Sequence, residues 1–556
     1  MNAAFDGLTP WPEELAETYC KGGYWQNQNL ASWFAEKVSN KENIVLSGLG
    51  IDGKPQDLTG KELHLCVQEL AQGLAKLDIQ PSEKVVLQMG NTNSFVITLF
   101  ALFELGAIPV MALPGHRYRE IEHFLNLTKA RTWIAGDIEE NSPIPDLAVK
   151  LKEGVPSLQN IILDKQDTGS FHSLGSLLKK GNKKFESTNL GHATDPAGIA
   201  VLLCSGGTTG LPKLIPRTHR DYLFNAKASA EVCELDENDG YLVALPAGHN
   251  FPLACPGILG AFEQGAKVVM CPSPSPDIAY QWITDTNATV TALVPPLVRV
   301  WLQNAELGFK APSTLRMLQV GGSRLDADLA QCIPNKLSCK LQQVFGMAEG
   351  LLNFTRSKDP DLLVQKTQGR PLSELDEIRI VDSQGQDVPN GQRGELWTRG
   401  PYTLRGYYKD PKANDSSFSA DGYYKSGDLV RRLSSGHLIV EGRIKEVIRR
   451  GAETIPAESL ETHLSLHSEI QAAAVIGLPC ERLGQQVCAV LVNKEETDLT
   501  LTLNEVRHFL IEEGVAHFML PDSIEYVPEL PLTAVGKVAY QQLISKFSPP
   551  SPETTY

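Results

Sequence analysis

The sequence has no cysteine pairs, no excess of positive charge and no long apolar run free of interruptions. Its ten cysteines are scattered without a Cys-x-x-Cys spacing, which disfavours a zinc site or a disulfide framework and favours reduced thiols. The net charge of −15 argues against general binding to nucleic acid or to anionic membranes. The most apolar stretch, residues 95–115, is broken by Glu104, Pro109 and Pro114, so it predicts a buried helix and strand and no membrane span.

The beginning of the chain is acidic and lacks the basic-then-apolar order of a secretory signal. Together with the scattered cysteines, this favours a cytoplasmic location. A chain of 556 residues exceeds what one hydrophobic core usually organises, so we expect two or more domains.

Strand-like apolar runs alternate with helical stretches through the first two thirds of the chain, as in residues 84–89, 94–105 and 108–112. This alternation predicts α/β architecture with largely parallel sheets. Short strands with glycine turns around residues 376–440 predict a small β-rich subdomain.

Polar and charged residues crowd around Lys445 after a strand-like segment, which suggests a domain boundary there. We therefore predict a large N-terminal domain, residues 1–444, containing α/β subdomains and the β-rich subdomain. A small α+β domain follows at residues 445–546. Residues 547–556 are rich in Pro and Ser and are predicted to form a disordered tail.

The most informative motif is the run Ser-Gly-Gly-Thr-Thr-Gly-Leu-Pro-Lys at residues 205–213, which follows a strand-like segment at residues 199–204. Glycines let the backbone approach a phosphate, hydroxyl groups donate hydrogen bonds, and the lysine adds positive charge. The run does not fit the GxxxxGK[ST] pattern of a Walker A loop. It therefore predicts a phosphate-binding loop of a different class.

Further motifs follow in order along the chain, at residues 321–323 (GGS), 345–350 (FGMAEG), 424–429 (YKSGDL), 442–445 (GRIK) and 531–537 (PLTAVGK). Together with the phosphate loop, they resemble those of the adenylate-forming superfamily, which contains acyl-CoA ligases, peptide synthetase adenylation domains and luciferases. The resemblance spans nearly the whole chain. It implies a mobile C-terminal domain, with Lys445 in the place of the hinge residue.

The resemblance also implies ATP and Mg²⁺ as cofactors and assigns a role to each motif. Glu349 would hold Mg²⁺, Asp428 would accept hydrogen bonds from the ribose hydroxyls, and Arg443 would be a second ribose contact. The β- and γ-phosphates would bind Ser205, Gly206, Gly207, Thr208, Thr209 and Lys213. The adenine slot would comprise Gly322, Val344, Phe345 and Gly346.

Lys537 is the predicted catalytic lysine, because the resemblance implies that it bridges the carboxylate and the α-phosphate. A unit charge at about 4 Å from a developing anion is worth roughly 4 kcal/mol at an effective dielectric of about 20. Its removal is therefore expected to slow adenylation on the order of a thousandfold.

The run PAGHNFPLACPG at residues 246–257, with residues 216–219 and 346–353, resembles the stand-alone aryl acid ligases of siderophore biosynthesis. These enzymes activate salicylate or 2,3-dihydroxybenzoate and load a phosphopantetheinylated aryl carrier protein. The resemblance places His249 beside the substrate carboxylate and Asn250 on the ortho hydroxyl. Phe251 and Gly321 are further expected substrate contacts.

Cys255 and Leu352 discriminate between the two acids, since dihydroxybenzoate enzymes usually carry Ser and Val there. A thiol is a weaker donor than a hydroxyl, and leucine takes space that a 3-hydroxyl would need. Both favour salicylate, by about 1–3 kcal/mol. The alternatives are a 2,3-dihydroxybenzoate ligase, an aryl or acyl-CoA ligase that uses free coenzyme A, and a non-catalytic scaffold.

Overall fold

A computed structural model of the protein describes residues 5–136, 142–164, 171–180, 191–205, 211–444, 447–450, 453–480, 484–494, 500–513, 515, 519–533 and 536–548. These residues form two compact units. The first contains the chain up to residue 377 together with residues 398–424. The second contains residues 378–397 and the chain from residue 425 onward. The β-rich stretch thus groups largely with the C-terminal residues, and the boundary predicted at Lys445 stays a prediction because Lys445 is outside the described ranges.

The helices are α1 (Glu13–Lys21), α2 (Leu30–Val38), α3 (Gly60–Ala75), α4 (Asn93–Leu105), α5 (Tyr118–Thr128), α6 (Ile144–Gly154), α7 (Leu174–Lys180), α8 (His219–Val232), α9 (Asn250–Ala254), α10 (Gly257–Gln264), α11 (Pro276–Thr286), α12 (Pro295–Glu306), α13 (Ala327–Leu337), α14 (Asp361–Lys366), α15 (Pro411–Ser417), α16 (Ala457–Leu464), α17 (Leu503–Glu512) and α18 (Tyr540–Phe547). Phe547, the first residue of the predicted disordered tail, thus belongs to a helix.

The strands are β1 (Ile44–Leu49), β2 (Pro55–Thr59), β3 (Lys84–Met89), β4 (Ile108–Ala112), β5 (Thr132–Gly136), β6 (Asn160–Leu163), β7 (His172–Ser173), β8 (Ile199–Cys204), β9 (Leu214–Thr218), β10 (Gly240–Val243), β11 (Lys267–Met270), β12 (Val290–Leu293), β13 (Met317–Gly321), β14 (Lys340–Gly346), β15 (Leu352–Phe354), β16 (Arg370–Pro371), β17 (Glu377–Val381), β18 (Arg393–Arg399), β19 (Tyr424–Arg432), β20 (Leu438–Arg443), β21 (Val447–Arg450), β22 (Glu453–Pro456), β23 (Ile470–Cys480), β24 (Gly484–Asn493) and β25 (Ser523–Tyr526). The predicted strands at residues 84–89, 108–112 and 199–204 coincide with β3, β4 and β8, and the prediction of α/β architecture is confirmed.

The first unit contains two mixed sheets. One runs in the order β16-β15-β14-β13-β12-β10-β11-β1-β2, and the other in the order β7-β6-β5-β3-β4-β8-β9. Most neighbouring strands are parallel, as predicted, whereas β2, β15, β16 and β9 pair antiparallel with a neighbour at the sheet ends. Apolar residues of α2, α3, α4 and α10 share one core with strands of both sheets. Fully buried parallel strands read as continuous apolar runs, which explains why the sequence located them well.

Residues 95–115 form most of α4 and all of β4, as their interrupted hydropathy predicts. The α4 helix is buried along its whole length and begins at Thr92, whose side chain accepts a hydrogen bond from the Phe95 N–H. It ends at Gly106, which adopts the left-handed conformation that glycine tolerates best. None of the helices that the structure describes is both long and apolar enough to span a bilayer.

The second unit contains two further sheets. Strands β17-β18-β19-β20 form the predicted β-rich subdomain, although the first residues of β17 and β19 and the last two of β18 group with the first unit. The other sheet runs β22-β21-β24-β23, with β25 parallel to β24. Apolar residues of α16 and α17 pack on one face of this sheet, and α18 packs beside β23 in a separate cluster. This arrangement confirms a small C-terminal α+β region.

Candidate active site

The phosphate loop connects two antiparallel strands. Cys204 of β8 pairs with Leu214 of β9, and the next pair, Ser205 and Lys213, closes the hairpin. The Ser205 N–H donates to the Lys213 carbonyl at 2.9 Å, and the Lys213 N–H donates to Ser205 Oγ at 3.0 Å. A Walker A loop instead leads from a strand into a helix, so the topology agrees with the sequence in excluding that class. Gly206, Gly207, Thr208 and Thr209 lie outside the described residues.

Two predicted phosphate-site residues contact one tyrosine, Tyr407, which no sequence motif indicated. Lys213 Nζ lies 4.4 Å from the centre of the Tyr407 ring, and the Tyr407 hydroxyl donates to Glu349 Oε1 at 2.9 Å. The Leu404 N–H also donates to the Glu349 carbonyl at 2.8 Å, which fixes the backbone of this glutamate. We call Lys213, Glu349 and Tyr407 the phosphate cluster. The arrangement supports the predicted proximity of a cation and a metal-binding carboxylate.

Tyr407 is itself held in place by its surroundings. Its hydroxyl lies 2.9 Å from the hydroxyl of Tyr424, and its ring is nearly buried. Burial, together with the Glu349 carboxylate, raises the pKa of Tyr407 far above that of a free tyrosine. The hydroxyl therefore keeps its proton and donates to Glu349, leaving the rest of the carboxylate for other ligands.

Glu349 fits a magnesium ion of the kind that nucleotides bring with them. Its side chain is half-buried, and within the described part of the chain no group of three or more His, Cys, Asp or Glu residues is arranged to hold a metal. Mg²⁺ is commonly held by one or two carboxylates, with phosphates and water completing an octahedron. A single carboxylate close to Lys213, the lysine predicted to bind phosphate, meets that requirement.

The predicted adenine slot lies where β13 and β14 end side by side. Gly321 pairs with Val344 in the parallel register, and Phe345 and Gly346 follow on β14. A side chain at Gly321 would meet the Val344 carbonyl oxygen at 2.6 Å and the Phe251 ring at 3.1 Å, so only glycine fits. Gly322 is exposed at a φ of +88°, which also favours glycine. The structure thus brings Gly321, Val344 and Phe251 together.

Asn250 and Cys255 lie against each other, as expected for two residues of one acid pocket. Asn250 is 5% exposed and Cys255 is 1% exposed. The Asn250 Nδ2 group donates to Cys255 Sγ at 3.3 Å, and Cys255 Sγ donates to the Asn250 carbonyl oxygen at 3.4 Å. Burial raises the pKa of the Cys255 thiol to about 12, so the sulfur stays protonated and acts as a donor.

His249 begins the helix that carries Asn250. It is the N-cap of α9, and its ring Nδ1 accepts a hydrogen bond from the Phe251 N–H at 3.2 Å. Because that bond requires a lone pair on Nδ1, a neutral ring carries its proton on Nε2. The predicted role of His249 beside the substrate carboxylate therefore calls for donation from Nε2.

Two residues of α8 contact the predicted acid pocket, although no sequence motif indicated them. The Tyr222 hydroxyl donates to Asn250 Oδ1 at 2.9 Å, and Asn225 Nδ2 donates to the Ala254 carbonyl oxygen at 2.6 Å. Both are buried polar residues one helical turn apart, a spacing that puts them on the same helix face. We call Tyr222, Asn225, Asn250 and Cys255 the acid cluster.

A buried ion pair fixes α8 to the strand before it. Arg217 of β9 donates through Nε to Asp221 Oδ1 at 2.8 Å, and both side chains are almost completely buried. Arg217 also donates to Asn225 Oδ1 at 3.3 Å and to the Ala348 carbonyl at 3.4 Å. Arg217 belongs to the segment that resembles aryl acid ligases, and its partners now explain its position.

Leu352 is buried at the start of β15, opposite Gly346. A side chain at Gly346 would meet Leu352 Cδ2 at 2.4 Å. The Leu352 N–H donates to the Tyr402 hydroxyl at 3.3 Å, and that hydroxyl donates to Asp376 Oδ2 at 2.5 Å. Through Tyr402, the Asp376 carboxyl group is thus linked to the backbone of Leu352, a predicted specificity residue. Burial raises the pKa of Asp376 to about 7.

The two predicted ribose contacts meet in the second unit. Asp428 of β19 and Arg443 of β20 are directly opposite in the antiparallel register, with Arg443 Nε 2.9 Å from Asp428 Oδ1. The Asp428 N–H donates to Ser426 Oγ at 3.0 Å, and Arg443 donates to the Ser426 carbonyl at 3.3 Å. The arginine side chain is 43% exposed, whereas that of the aspartate is 11% exposed.

Lys537 closes a turn near the C-terminus, as its motif predicts. The Thr533 N–H donates to the Lys537 carbonyl at 2.6 Å, and the Lys537 N–H donates to Thr533 Oγ1 at 3.2 Å. Gly536 has a φ of +76°, which explains glycine before the lysine. The turn fixes the lysine backbone. The catalytic role of Lys537 and the hinge role of Lys445 stay predictions.

Comparison with known proteins agrees with these features. A sequence model of the AMP-binding enzyme matches residues 32–408, and a model of the AMP-binding enzyme C-terminal domain matches residues 459–537. Salicyl-AMP ligase / salicyl-S-ArCP synthetase of Mycobacterium tuberculosis is 43% identical over 97% of this chain and 94% of its own length. 2,3-Dihydroxybenzoate-AMP ligase of Bacillus subtilis is 41% identical over 97% of each chain.

A solved structure is similar over the same extent. The apo structure of MbtA from Mycobacterium smegmatis has a TM-score of 0.74 and 44% sequence identity, and the match covers 98% of this chain and all of that one. The chain therefore belongs to the family of AMP-binding enzymes and has the adenylate-forming fold.

Proposed function

We propose that this chain is an aryl acid–AMP ligase of siderophore biosynthesis and that salicylate is its preferred acid. Salicylate and ATP would give salicyl-AMP and pyrophosphate, and the salicyl group would then pass to the phosphopantetheine thiol of an aryl carrier protein. Full-length similarity to one salicyl-AMP ligase and one 2,3-dihydroxybenzoate-AMP ligase supports the aryl acid class.

The contact between Asn250 and Cys255 carries the preference for salicylate. The Asn250 amide is buried next to the sulfur, so a benzoate ring that meets this amide through its 2-position would have position 3 close to Cys255. The thiol already donates to the Asn250 carbonyl and offers a 3-hydroxyl little in return. Leu352 adds apolar volume. A pocket of this composition favours an acid without a 3-hydroxyl.

Adenylation requires positive charge and oriented donors more than a nucleophilic side chain. A carboxylate oxygen of the acid forms a bond to the α-phosphorus, and the bond from that phosphorus to the bridging oxygen breaks as pyrophosphate leaves with the electron pair. Lys213 would neutralise phosphate oxygens, and Lys537 would neutralise charge on the carboxylate and α-phosphate. Glu349 would hold Mg²⁺, which supplies further positive charge to the phosphates.

The remaining assigned residues orient the two substrates. Asp428 would accept hydrogen bonds from the ribose hydroxyls, and Arg443 would hold Asp428 and contact the ribose. His249 would donate from Nε2 to the acid's carboxylate, since Nδ1 is occupied by the Phe251 N–H. In the second step, the thiol sulfur attacks the acyl carbon, AMP leaves, and the thiol proton passes to solvent. We propose a rotation about Lys445 between the two steps.

ATP–pyrophosphate exchange with salicylate, 2,3-dihydroxybenzoate, benzoate and a medium-chain fatty acid tests the proposal. We expect strong exchange with salicylate and weaker exchange with the dihydroxy acid. A preference for 2,3-dihydroxybenzoate would agree with the enzyme class and contradict the role given to Cys255 and Leu352. A 2,3-dihydroxybenzoate-AMP ligase is the second candidate function, because a relative with that activity is nearly as similar. Absence of exchange with every aryl acid would contradict the class.

Transfer is tested separately with a phosphopantetheinylated aryl carrier protein and with free coenzyme A. We expect the carrier protein to be loaded much faster at equal concentration. Faster reaction with coenzyme A would instead assign the chain to the aryl-CoA ligases, which share the first step.

A further inference from the structure

Asn250 is an amide whose two ends have nearly the same shape and opposite hydrogen-bonding character. Its orientation therefore decides whether the acid pocket offers a donor or an acceptor. Tyr222 donates to Oδ1 at 2.9 Å, and Nδ2 donates to Cys255 Sγ at 3.3 Å. Among the contacts of the described residues, only one of the two N–H groups on Nδ2 is used.

The surrounding groups favour this orientation over the reversed one. The single S–H of Cys255 donates to the Asn250 carbonyl oxygen, so the sulfur faces the amide as an acceptor. Burial raises the pKa of Tyr222 well above 10, so its hydroxyl retains a proton to donate. A reversed amide would place its oxygen against the sulfur's lone pairs, a repulsive contact.

Tyr222 is also fixed firmly enough to hold another residue. Its side chain is 1% exposed, and the Arg217 guanidinium lies over its ring at 4.7 Å from the ring centre. Arg217 in turn pairs with Asp221 of the same helix. Packing of the Tyr222 ring thus restricts its side-chain rotamers and fixes the position of its hydroxyl.

The chemistry of salicylate makes this orientation matter. At neutral pH the ortho hydroxyl of salicylate donates to its own carboxylate, so the hydroxyl oxygen presents lone pairs to its surroundings. An amide N–H matches those lone pairs, whereas an amide oxygen repels them. Benzoate lacks the hydroxyl and does not distinguish the two orientations.

We propose that Tyr222 is a positioning residue that makes the pocket select ortho-hydroxylated acids, by fixing the Asn250 amide with its N–H groups toward the acid. This inference rests on the proposed function, since it concerns how the same pocket distinguishes one acid substrate from another. Tyr222 acts through Asn250 and need not touch the substrate itself.

The test compares kcat/KM for salicylate and for benzoate in ATP–pyrophosphate exchange. For Tyr222→Phe we expect the salicylate-to-benzoate ratio to fall about tenfold, in line with one lost hydrogen bond at a buried amide, while benzoate exchange changes less than about twofold. A matched control is Tyr241→Phe, which removes a buried hydroxyl that donates to Gln319 Oε1 at 3.2 Å. The control should leave the ratio unchanged.

A double-mutant cycle with Asn250→Ala separates positioning from a general structural effect. Once the amide is absent, Tyr222→Phe should cause no further fall in the ratio. An equal loss with both acids in Tyr222→Phe, or an additive effect in the double variant, would overturn the inference. Failure of the wild-type chain to exchange with any aryl acid would instead defeat the proposed function.

Discussion

The acid cluster and the phosphate cluster lie in the same unit but differ in burial and in charge. The four residues of the acid cluster are almost completely buried, and their polar atoms bind one another or nearby backbone. In the phosphate cluster, only Tyr407 is buried, whereas Lys213 and Glu349 are partly exposed. Neutral amides, hydroxyls and thiols can be buried when they are hydrogen-bonded, but an unpaired charge in the interior is costly.

This contrast indicates two ways of recognising a ligand. The acid cluster is held in place by its own hydrogen bonds, so it would select an acid by a shape and a donor pattern that the protein already holds. The phosphate cluster leaves its charged groups partly exposed to water, as expected for groups that would be neutralised by anionic groups and a cation. Substitutions in the first should change which acid is used, and substitutions in the second should change how well the nucleotide is used.

The largest expected effect comes from a charge outside both clusters. Lys537→Ala should reduce exchange on the order of a thousandfold, because a full positive charge next to the developing anion is lost. The loss in kcat/KM should be the same for salicylate and benzoate, since this charge would not contact the aromatic ring. Lys546→Ala is the control, an exposed lysine on the following helix that should leave both rates unchanged. A loss confined to salicylate would contradict the separation between the residues that select the acid and those that neutralise charge.

A tenfold effect is expected at the tyrosine of the phosphate cluster. Tyr407→Phe removes the donor that orients Glu349, so we expect the KM for Mg-ATP to rise about tenfold, with the salicylate-to-benzoate ratio unchanged. Tyr408→Phe is the neighbouring control, because that buried hydroxyl contacts Asp6 at 3.4 Å. An altered acid ratio in Tyr407→Phe would contradict the division between the clusters.

A somewhat smaller change is expected when the acid pocket is rebuilt. Cys255→Ser with Leu352→Val should raise the ratio of 2,3-dihydroxybenzoate to salicylate turnover several-fold, just below the roughly 10- to 200-fold discrimination that one methylene group gives in such pockets. The KM for Mg-ATP should stay constant. Cys271→Ser, another buried cysteine whose sulfur donates to the Ser273 carbonyl, is the matched control. No change in the acid ratio would remove the basis of the salicylate assignment.

The prediction with the smallest expected effect on catalysis concerns stability against pH. Burial raises the pKa of Asp376 to about 7, so the folded state holds this proton more tightly than the unfolded state does. The contribution to stability is fully present below pH 4 and is lost as the pH rises to about 7. The donors Tyr402 and Ser373 limit this rise in the pKa, and the remaining difference between a pKa near 4 and one near 7 corresponds to about 4 kcal/mol.

Asp376→Asn tests that sign directly. Chemical unfolding at pH 5 and pH 8 should show that the variant loses less stability than the wild type between the two values. A steeper loss in the variant would mean that the ionised carboxylate stabilises the fold. The acid ratio at each pH then shows whether the link through Tyr402 reaches Leu352.

Much of the fold was predictable because its central strands are continuous apolar runs. β3, β4 and β8 begin and end at the predicted residues, and Asp428 and Arg443 came together as the resemblance implied. The sheet ends were not predictable to the same degree. β9 turns back beside β8, and a single strand's sequence does not reveal the direction of its neighbour.

The supporting residues of the site escaped prediction because their partners are distant in sequence. Tyr407 lies 58 residues from Glu349, and Tyr222 lies 28 residues from Asn250. Each reads locally as an ordinary aromatic residue of a helix or loop. Only packing of separate elements turns their hydroxyls toward the site, and no local pattern encodes that packing.

The buried pair of Arg217 and Asp221 limits how a preference for one acid can be transferred between related enzymes by exchange of segments. The short stretch that runs from β9 into α8 contains the arginine on the strand and the aspartate on the helix, and the same helix carries Tyr222 and Asn225. A chimera joined between strand and helix risks giving either half a foreign partner, and an unmatched buried charge costs about 3–5 kcal/mol. When Asn250, Cys255 and Leu352 are exchanged, the supporting segment from Leu214 to Val232 should therefore be exchanged with them as one piece, which leaves Lys213 with the host enzyme.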